Sequence, residues 1–409
     1  MKPIGPIPPF FEAAEDGQLM VGGVPAEEIV ADAGGTPVFA YDNNIIGGQI
    51  ARLRAAMPDG LAIFYSVSAN PNEELLNFLG RYVDGFRVVS GGELQRLKRA
   101  DLAGIPMTFA GPGKRDDELD AGIAAGATIS IESEGEAARA IRAGERTGKR
   151  PKLAVRVNPP FTIEGGRVRK GARPSPFGID AERVADVVEG LLEADIDWRG
   201  LHIFSAAQCL DETAIIDAHS AIIDAAGGIA ARLGRPLPEL NLGGGFDIPC
   251  FDGDQPLDIY RLAGALHDTL CNAPELLATT RLSLELGRWL VGEAGVYLTR
   301  VLDRCESAGE TFLTVDGGGH HLLRATGCLL ERGRGNYPIA VASRWGVEAE
   351  EEVTVCGCLA TPNDLFGDEV MLPRAEPGDL IAIFSAGAYG LTASPTGWES
   401  RPPAREILV

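Results

Sequence analysis

Lysine is scarce in this sequence, and acidic residues far outnumber basic ones. Lysine and arginine together number 37 against 58 aspartates and glutamates, which gives a formal net charge of −21 over 409 residues. A chain this acidic repels phosphate backbones and anionic lipid surfaces. We therefore expect neither a nucleic acid nor a membrane as a partner. The lysines are Lys2, Lys98, Lys114, Lys149, Lys152 and Lys170.

Metal-ligand patterns and long apolar runs are also missing. The seven cysteines are scattered singly, apart from Cys356 and Cys358, and none has the spacing of a metal site. Reduced thiols in a cytoplasm are the plain interpretation. No apolar run reaches 18 residues, and the first six residues do not have the pattern of a signal peptide. We expect a cytoplasmic protein without a metal ion.

Eight short apolar runs recur between about residue 60 and residue 290, with helical patterns between them. Near-continuous apolar strands are typical of a parallel sheet covered by helices. Eight alternations of strand and helix favour a (β/α)₈ barrel over an open sheet. The runs are Ile63–Val67, Phe86–Ser90, Met107–Ala110, Thr128–Ile131, Leu153–Val157, Leu201–Phe204, Leu240–Leu242 and Leu282–Leu286.

The pattern changes after Arg288, where β-branched runs alternate with Gly and Pro turns and little helix remains. We expect a barrel over residues 41–288 and a C-terminal all-β domain over residues 289–409. Residues 1–40 are rich in Pro and Gly and would otherwise share no core, so we expect them to join the β-domain. The predicted strands are Pro37–Tyr41, Val296–Leu302, Thr311–Val315, Glu352–Val355 and Leu380–Phe384.

Glycines follow the seventh apolar run, at Gly243, Gly244 and Gly245. In a barrel the chemistry lies in the loops after the strands, and the loops after strands seven and eight often form a phosphate site. Glycines there let backbone amides approach an anion closely. Glycine also relieves crowding where a strand meets a helix, so the triplet by itself leaves both interpretations open.

The strand-end loops carry collinear motifs that span nearly the whole chain: Phe64-Tyr65-Ser66-Val67-Ser68-Ala69-Asn70-Pro71-Asn72, Ser90-Gly91-Gly92-Glu93-Leu94, Phe109-Ala110-Gly111-Pro112-Gly113-Lys114, Arg156-Val157-Asn158-Pro159, Leu242-Gly243-Gly244-Gly245-Phe246, Glu285-Leu286-Gly287-Arg288, Asp316-Gly317-Gly318 and Ala386-Gly387-Ala388-Tyr389-Gly390. Together they resemble the fold-type III pyridoxal-phosphate decarboxylases, the diaminopimelate and ornithine decarboxylase group. The resemblance implies an alanine-racemase-type barrel with an appended β-domain.

The resemblance also implies roles for single residues. Glu285 matches a glutamate that lies against the pyridine nitrogen of the cofactor and keeps it protonated, so that the ring acts as an electron sink. Arg288 matches an arginine of the phosphate and substrate region, and Tyr389 matches a tyrosine near the cofactor. Asp364 matches an aspartate contributed to the neighbouring subunit's site. His202 is a further candidate catalytic residue.

Five positions depart from the family pattern. Ser68 stands where the family has the lysine that forms the Schiff base, and a serine hydroxyl cannot form an imine. Ala360 stands in the place of the catalytic cysteine, and Ala207 in the place of a serine that holds the phosphate. Asp247 follows the glycine triplet where a glycine is usual, and a carboxylate there would repel a phosphate by about 1 kcal/mol or more. Arg87 replaces an aspartate.

These departures lead to two expectations. The first is a protein that has lost lysine-dependent chemistry, holds no cofactor, and works in a biosynthetic pathway as a cofactor-independent enzyme or a non-catalytic partner. The alternative is an active amino-acid decarboxylase, with a free or carrier-bound substrate and non-covalent pyridoxal phosphate in a site that is still usable. Lys114 gives no compensation for Ser68, because the family keeps a lysine there as well. We expect a homodimer, or a heterodimer with an active homologue.

Overall fold

The computed structural model describes residues 1–162, 168–169, 174–326 and 335–409, with the side chains of residues 168, 169, 206 and 207 left out. Its chain divides into two compact units. The barrel unit comprises Ile50–Asp247 and Leu257–Gly287, and the β unit comprises Met1–Gln49, Ile248–Pro256 and Arg288–Val409. The units differ from the predicted barrel of residues 41–288, because residues 41–49, residues 248–256 and Arg288 belong to the β unit.

The barrel unit is built on a closed ring of eight parallel strands. The ring is closed, since Arg281–Leu286 pairs with Ala62–Ser66 through Ser283 and Ala62, and Thr128–Ile131 pairs with Lys152–Asn158 through Thr128 and Lys152. The (β/α)₈ prediction is confirmed, and each predicted run falls on one strand. The strands are β1 (Ala62–Ser66), β2 (Gly85–Val88), β3 (Met107–Phe109), β4 (Thr128–Ile131), β5 (Lys152–Asn158), β6 (Asp197–Ile203), β7 (Glu239–Gly244) and β8 (Arg281–Leu286).

Helices connect the strands, and side chains at their starts satisfy backbone amides. The Ser90 and Ser133 hydroxyls accept hydrogen bonds from the amides of Glu93 and Glu136, three residues into their helices. The 22-residue helix Glu212–Leu233 is apolar and long enough to cross a membrane, but 56% of its apolar window is buried in the fold, as in a core helix. The helices are Asn43–Ala56, Glu73–Leu79, Gly91–Arg99, Asp116–Ala124, Glu134–Thr147, Ala181–Leu192, Glu212–Leu233 and Ile259–Cys271.

Strand alternation decides which side chains reach the interior of the barrel. Successive side chains of a strand point to opposite faces. In β2, Phe86 and Val88 are fully buried on one face, and Arg87 lies between them on the other. Polar residues inside otherwise apolar strands therefore gather inside the ring, and this gathering positions the candidate site.

The β unit is a mixed sheet that includes the N-terminal segment. Val38–Tyr41 pairs antiparallel with Gly295–Ser307 and parallel with Arg405–Leu408. The predicted all-β domain with its N-terminal addition is confirmed. The remaining long strands are Glu310–Val315, Ile339–Val341, Glu351–Cys356, Leu365–Leu372 and Leu380–Ile383; Glu12–Ala13, Leu19–Val21 and Val24–Pro25 form a small separate sheet, and the short helices are Ala26–Asp32, Arg288–Val291 and Gly319–Leu322.

Replacing Gly200 in β6 tests the barrel's strand packing. Gly200 has φ +103°, and a Cβ there would lie 2.0 Å from the carbonyl oxygen of Glu239 on β7. We expect Gly200→Ala to lower the free energy of unfolding in urea by about 3 kcal/mol. Gly228→Ala is the control, because it lies in a helix with open space around it, and it should leave stability unchanged or raise it by up to about 1 kcal/mol. Equal effects of the two changes would contradict the packing described.

Candidate functional site

The centre of the barrel interior is the carboxylate of Glu285, at the end of β8. Its side chain is only 2% exposed. Asn241 donates to its Oε1 at 2.7 Å and Thr108 donates to the same oxygen at 3.2 Å. The Nε of Arg87 lies 3.1 Å from its Oε2, as a close ion pair that is not aligned for a hydrogen bond. Residues from three other strands thus converge on one buried carboxylate.

His202, on β6, lies beside the same carboxylate. Its Nε2 is 3.5 Å from Oε2 of Glu285, and its Nδ1 is 3.0 Å from the hydroxyl of Ser130 on β4. Because both ring nitrogens have polar neighbours, the imidazole is fixed in orientation. The structure therefore brings together two of the residues predicted from sequence, Glu285 and His202.

A cavity of about 490 Å³ reaches this cluster through the barrel interior. Glu285 and His202 line it near the carboxyl ends of the strands, and Lys152 and Arg281 line it at the strand starts. Most of its lining residues lie at or before the strand starts, and Ser68, Arg87 and the glycine triplet are not among them, so this cavity does not include the loops after the strands. The cavity exists because several inward-facing residues are small; they include Ala62, Thr128, Ala154 and Ser283.

Ser68 lies in a short 3-10 turn, Val67–Ala69, that follows β1, and it is half-buried. The turn is held from both sides. The Tyr65 hydroxyl donates to the carbonyl oxygen of Asn70 at 3.0 Å, and a Cβ at Gly287 would lie 2.8 Å from the Cβ of Ala69. Ser68 is thus at the mouth of the barrel beside the end of β8.

Lys114 is fully buried and fully engaged. Its Nζ donates to the carbonyl oxygens of Gly111 at 2.6 Å and Ser130 at 2.9 Å, and it pairs with Glu136 at 3.1 Å. Burial lowers the pKa of Lys114 despite the neighbouring carboxylates. Three donors with three partners leave none for a ligand, which agrees with the expectation that Lys114 does not replace the missing lysine.

Local geometry explains the glycine triplet. A Cβ at Gly244 would lie 1.8 Å from the carbonyl oxygen of Glu285, and one at Gly243 would lie 2.5 Å from the ring of Phe204. Gly243 and Gly245 also have positive φ values, of 75° and 97°. Close packing at Gly243 and Gly244 and the positive φ of Gly245 account for these glycines without a ligand. Their role in binding a phosphate therefore stays a prediction.

Two further departures are Asp247, which follows the triplet, and Ala207. Asp247 is 1% exposed, and its amide donates to the carbonyl oxygen of Cys209 at 3.1 Å. A buried carboxylate therefore does follow the triplet. The side chain of Ala207 lies outside the described residues, and its role stays a prediction.

Arg288 and Tyr389 belong to the β unit and contact each other there. The guanidinium carbon of Arg288 is 4.8 Å from the centroid of the Tyr389 ring, within the range of a cation–π contact. Tyr389 has φ +54°, which is unusual for a residue with a side chain.

Asp364 has a structural use within this chain. Its carboxylate accepts hydrogen bonds from the amides of Gly319 at 2.7 Å and Leu359 at 2.9 Å, and it is 1% exposed. Burial raises its pKa. These bonds fix the loop that carries Ala360, which is exposed. The contribution of Asp364 to a neighbouring subunit stays a prediction.

Cys358 does not replace the missing cysteine as a reactive thiol. Burial raises its pKa to about 11, so it is a neutral thiol near pH 7.

Sequence reasoning missed the donors around the predicted residues. Thr108, Ser130 and Asn241 each lie in a short apolar strand, and each is polar at an inward position. That pattern, a polar residue between apolar neighbours in a predicted barrel strand, is the signal that could have identified them. Arg87 was recognised as a departure, but its contact with Glu285 was not foreseen.

Comparison with known proteins gives one family. The sequence profile of the family described as "Pyridoxal-dependent decarboxylase, pyridoxal binding domain" matches residues 44–292. Among curated relatives, the L-glutamyl-[BtrI acyl-carrier protein] decarboxylase of Niallia circulans is 32% identical over 91% of this chain and 88% of its own length. The diaminopimelate decarboxylase of Archaeoglobus fulgidus is 31% identical over 97% of this chain and 93% of its own.

Solved structures agree with the sequence matches. The diaminopimelate decarboxylase of M. jannaschii, in co-complex with L-lysine, has a TM-score of 0.87 and 25% identity, and the match covers 98% of this chain and 92% of that one. AQ1208 from Aquifex aeolicus has a TM-score of 0.82 and 28% identity over 98% of this chain and 92% of its own.

The buried pair Lys114–Glu136 gives a testable prediction. We expect Lys114→Met to lower the free energy of unfolding by about 3–5 kcal/mol, because it leaves the Glu136 carboxylate buried without its cation. The double variant Lys114→Met with Glu136→Gln should lose less free energy of unfolding than the two single variants lose in sum. The control is Arg115→Met, which breaks an exposed pair and should cost under about 1 kcal/mol. Additive effects at 114 and 136 would show that the pair does not interact.

Proposed function

Because the chain belongs to the pyridoxal-dependent decarboxylase family, we propose that it is a decarboxylase for an amino acid or a carrier-bound aminoacyl group, with pyridoxal phosphate held non-covalently. The observation that carries this proposal is the buried carboxylate of Glu285, held by Asn241 and Thr108 inside the barrel. The relatives support the substrate class, since one is named for a glutamyl group on an acyl-carrier protein and another for diaminopimelate.

The residues fit the cofactor only in part. Glu285 would hold the ring nitrogen, and the backbone of Gly243–Gly245 would hold the phosphate. Ser68 does not fit a covalent linkage, since an imine needs an amine. Lys114 is buried with all three donors used. The fit is therefore to a cofactor that binds and leaves without a bond to the chain.

Pyridoxal phosphate supplies an electron sink for the charge left on the α-carbon. The chain's own residues supply position and charge. Asn241 and Thr108 hold one oxygen of Glu285 and leave the other directed toward Arg87 and His202. Ser130 holds the imidazole of His202. The chain offers no amine at position 68 to move a proton at the α-carbon, so we expect a slow reaction.

A second candidate is favoured by Arg87. Its ion pair with Glu285 takes up the oxygen that a ring nitrogen would need. On this reading the chain has lost lysine-dependent chemistry and is a cofactor-independent enzyme or a non-catalytic partner. A homodimer or a heterodimer with an active homologue, in the cytoplasm, is proposed with either candidate.

Decarboxylation tests the first candidate directly. Purified protein with excess pyridoxal phosphate should release CO₂ slowly from glutamate, diaminopimelate or a glutamyl carrier protein, and only when the cofactor is added. Glu285→Gln should lower that rate at least about tenfold, because an amide does not stabilise a protonated ring nitrogen. Glu189→Gln, a control at an exposed position of the helix Ala181–Leu192, should leave it unchanged. Absence of any cofactor-dependent release would favour the second candidate.

Restoring the lysine tests covalent retention. We expect the natural chain to lose pyridoxal phosphate on dialysis, and Ser68→Lys to keep a fraction that borohydride reduction fixes to the peptide containing residue 68. Glu74→Lys is the matched control, because it adds an exposed lysine nearby and should trap no more than the natural chain does. Mass spectrometry reads the adduct. An adduct that survives dialysis in the natural chain would contradict the non-covalent proposal.

A further inference from the structure

Among the departures from the family pattern, Arg87 contacts a residue that the resemblance assigns to the cofactor. It lies inside the barrel on β2, and its Nε is 3.1 Å from Oε2 of Glu285. The Arg87 side chain is 19% exposed, while that of Glu285 is 2% exposed. Within the described part of the chain, Glu285 is the only carboxylate in ion-pair contact with Arg87. A partly exposed cation thus contacts a buried anion.

The two oxygens of the Glu285 carboxylate differ in what surrounds them. Its Oε1 already takes two hydrogen bonds, from Asn241 and Thr108. Its Oε2 faces Arg87 and, at 3.5 Å, His202. A new N–H donor from a ligand would have to approach Oε2, where the guanidinium already lies. A second cation beside the first would also be repelled, and the repulsion is strong in a desolvated site.

We infer that Arg87 competes with the pyridine nitrogen of the cofactor for Glu285, and that this ion pair lowers the affinity for pyridoxal phosphate independently of the missing lysine. The inference rests on the proposed function for the identity of the cofactor. Arg87 acts here as a positioning residue, through the carboxylate that it occupies. Removal of its charge frees Oε2 for a ring N–H, and that bond returns a partner to a buried anion.

The ion pair between Arg87 and Glu285 would also affect the protonation of the cofactor's ring nitrogen. A carboxylate in contact with a pyridine nitrogen favours the protonated ring, while a neighbouring guanidinium disfavours it. The natural chain should therefore hold a ring that is protonated to a smaller extent than it would be without Arg87, with a weaker electron sink. Loss of the lysine and presence of the arginine thus act on different atoms of the same cofactor.

The probe for the test is pyridoxine 5′-phosphate, which has the ring and the phosphate but no aldehyde and so cannot form imines with surface lysines. Calorimetric titration compares the natural chain with Arg87→Met, Arg87→Lys and the control Arg304→Met. Arg304 pairs with Glu351 in the β unit. We expect Arg87→Met to bind at least about tenfold more tightly. Arg87→Lys keeps the charge and should stay near the natural affinity, as should Arg304→Met.

A spectroscopic measurement separates competition from a general change in structure. With the ring nitrogen labelled with ¹⁵N, the NMR shift of bound probe should indicate a more fully protonated nitrogen in Arg87→Met than in the natural chain. If Arg87→Met does not fold, Arg87→Gln removes the charge with a polar side chain and takes its place.

Each outcome has a distinct meaning. Equal affinity of the natural chain and Arg87→Met would overturn the inference and leave the proposed function standing. Binding by Arg87→Met alone would support the inference and show that the natural chain does not use this cofactor. No binding by any variant would overturn both.

Discussion

The buried carboxylate of Glu285 is the constraint on which the barrel interior depends. An ionised group that is 2% exposed requires donors or a cation around it, because desolvation would otherwise neutralise it or unfold its site. The chain supplies them from separate strands, through Asn241, Thr108 and Arg87. The buried charge of Glu285 thus explains why otherwise apolar strands carry polar residues at these inward positions.

Ser68 and Arg87 both depart from the family pattern, but they would affect different parts of a bound cofactor. Ser68 removes the amine that anchors a cofactor, which affects the bond at its aldehyde. Arg87 occupies the carboxylate that would hold the ring nitrogen, at the opposite end of the reacting system. A lysine at position 68 would restore only the first. The family membership indicates the architecture of the barrel. In our proposal, Ser68 and Arg87 determine how a cofactor would be held there.

Much of the fold could be predicted because burial on both faces makes barrel strands into apolar runs. The strand Leu365–Leu372 was missed since Gly367 and Asp368 interrupt its pattern. Residues 248–256 were assigned to the barrel from the sequence, but they belong to the β unit. There a Cβ at Gly5 would lie 2.1 Å from the carbonyl oxygen of Cys250. A contact between residues so far apart in the chain leaves no local sequence pattern. Motifs located Glu285, but its contact with Arg87 depends on ring closure, which brings distant residues together.

A double-mutant cycle between Arg87 and Glu285 tests the central claim most directly. The free energies of unfolding of the natural chain, Arg87→Met, Glu285→Gln and the double variant give the coupling between the two side chains in solution. We predict a coupling of about 1–3 kcal/mol, because the pair is close and largely desolvated. A coupling indistinguishable from zero would contradict the account, since it would mean that Arg87 does not occupy the carboxylate at the centre of the barrel.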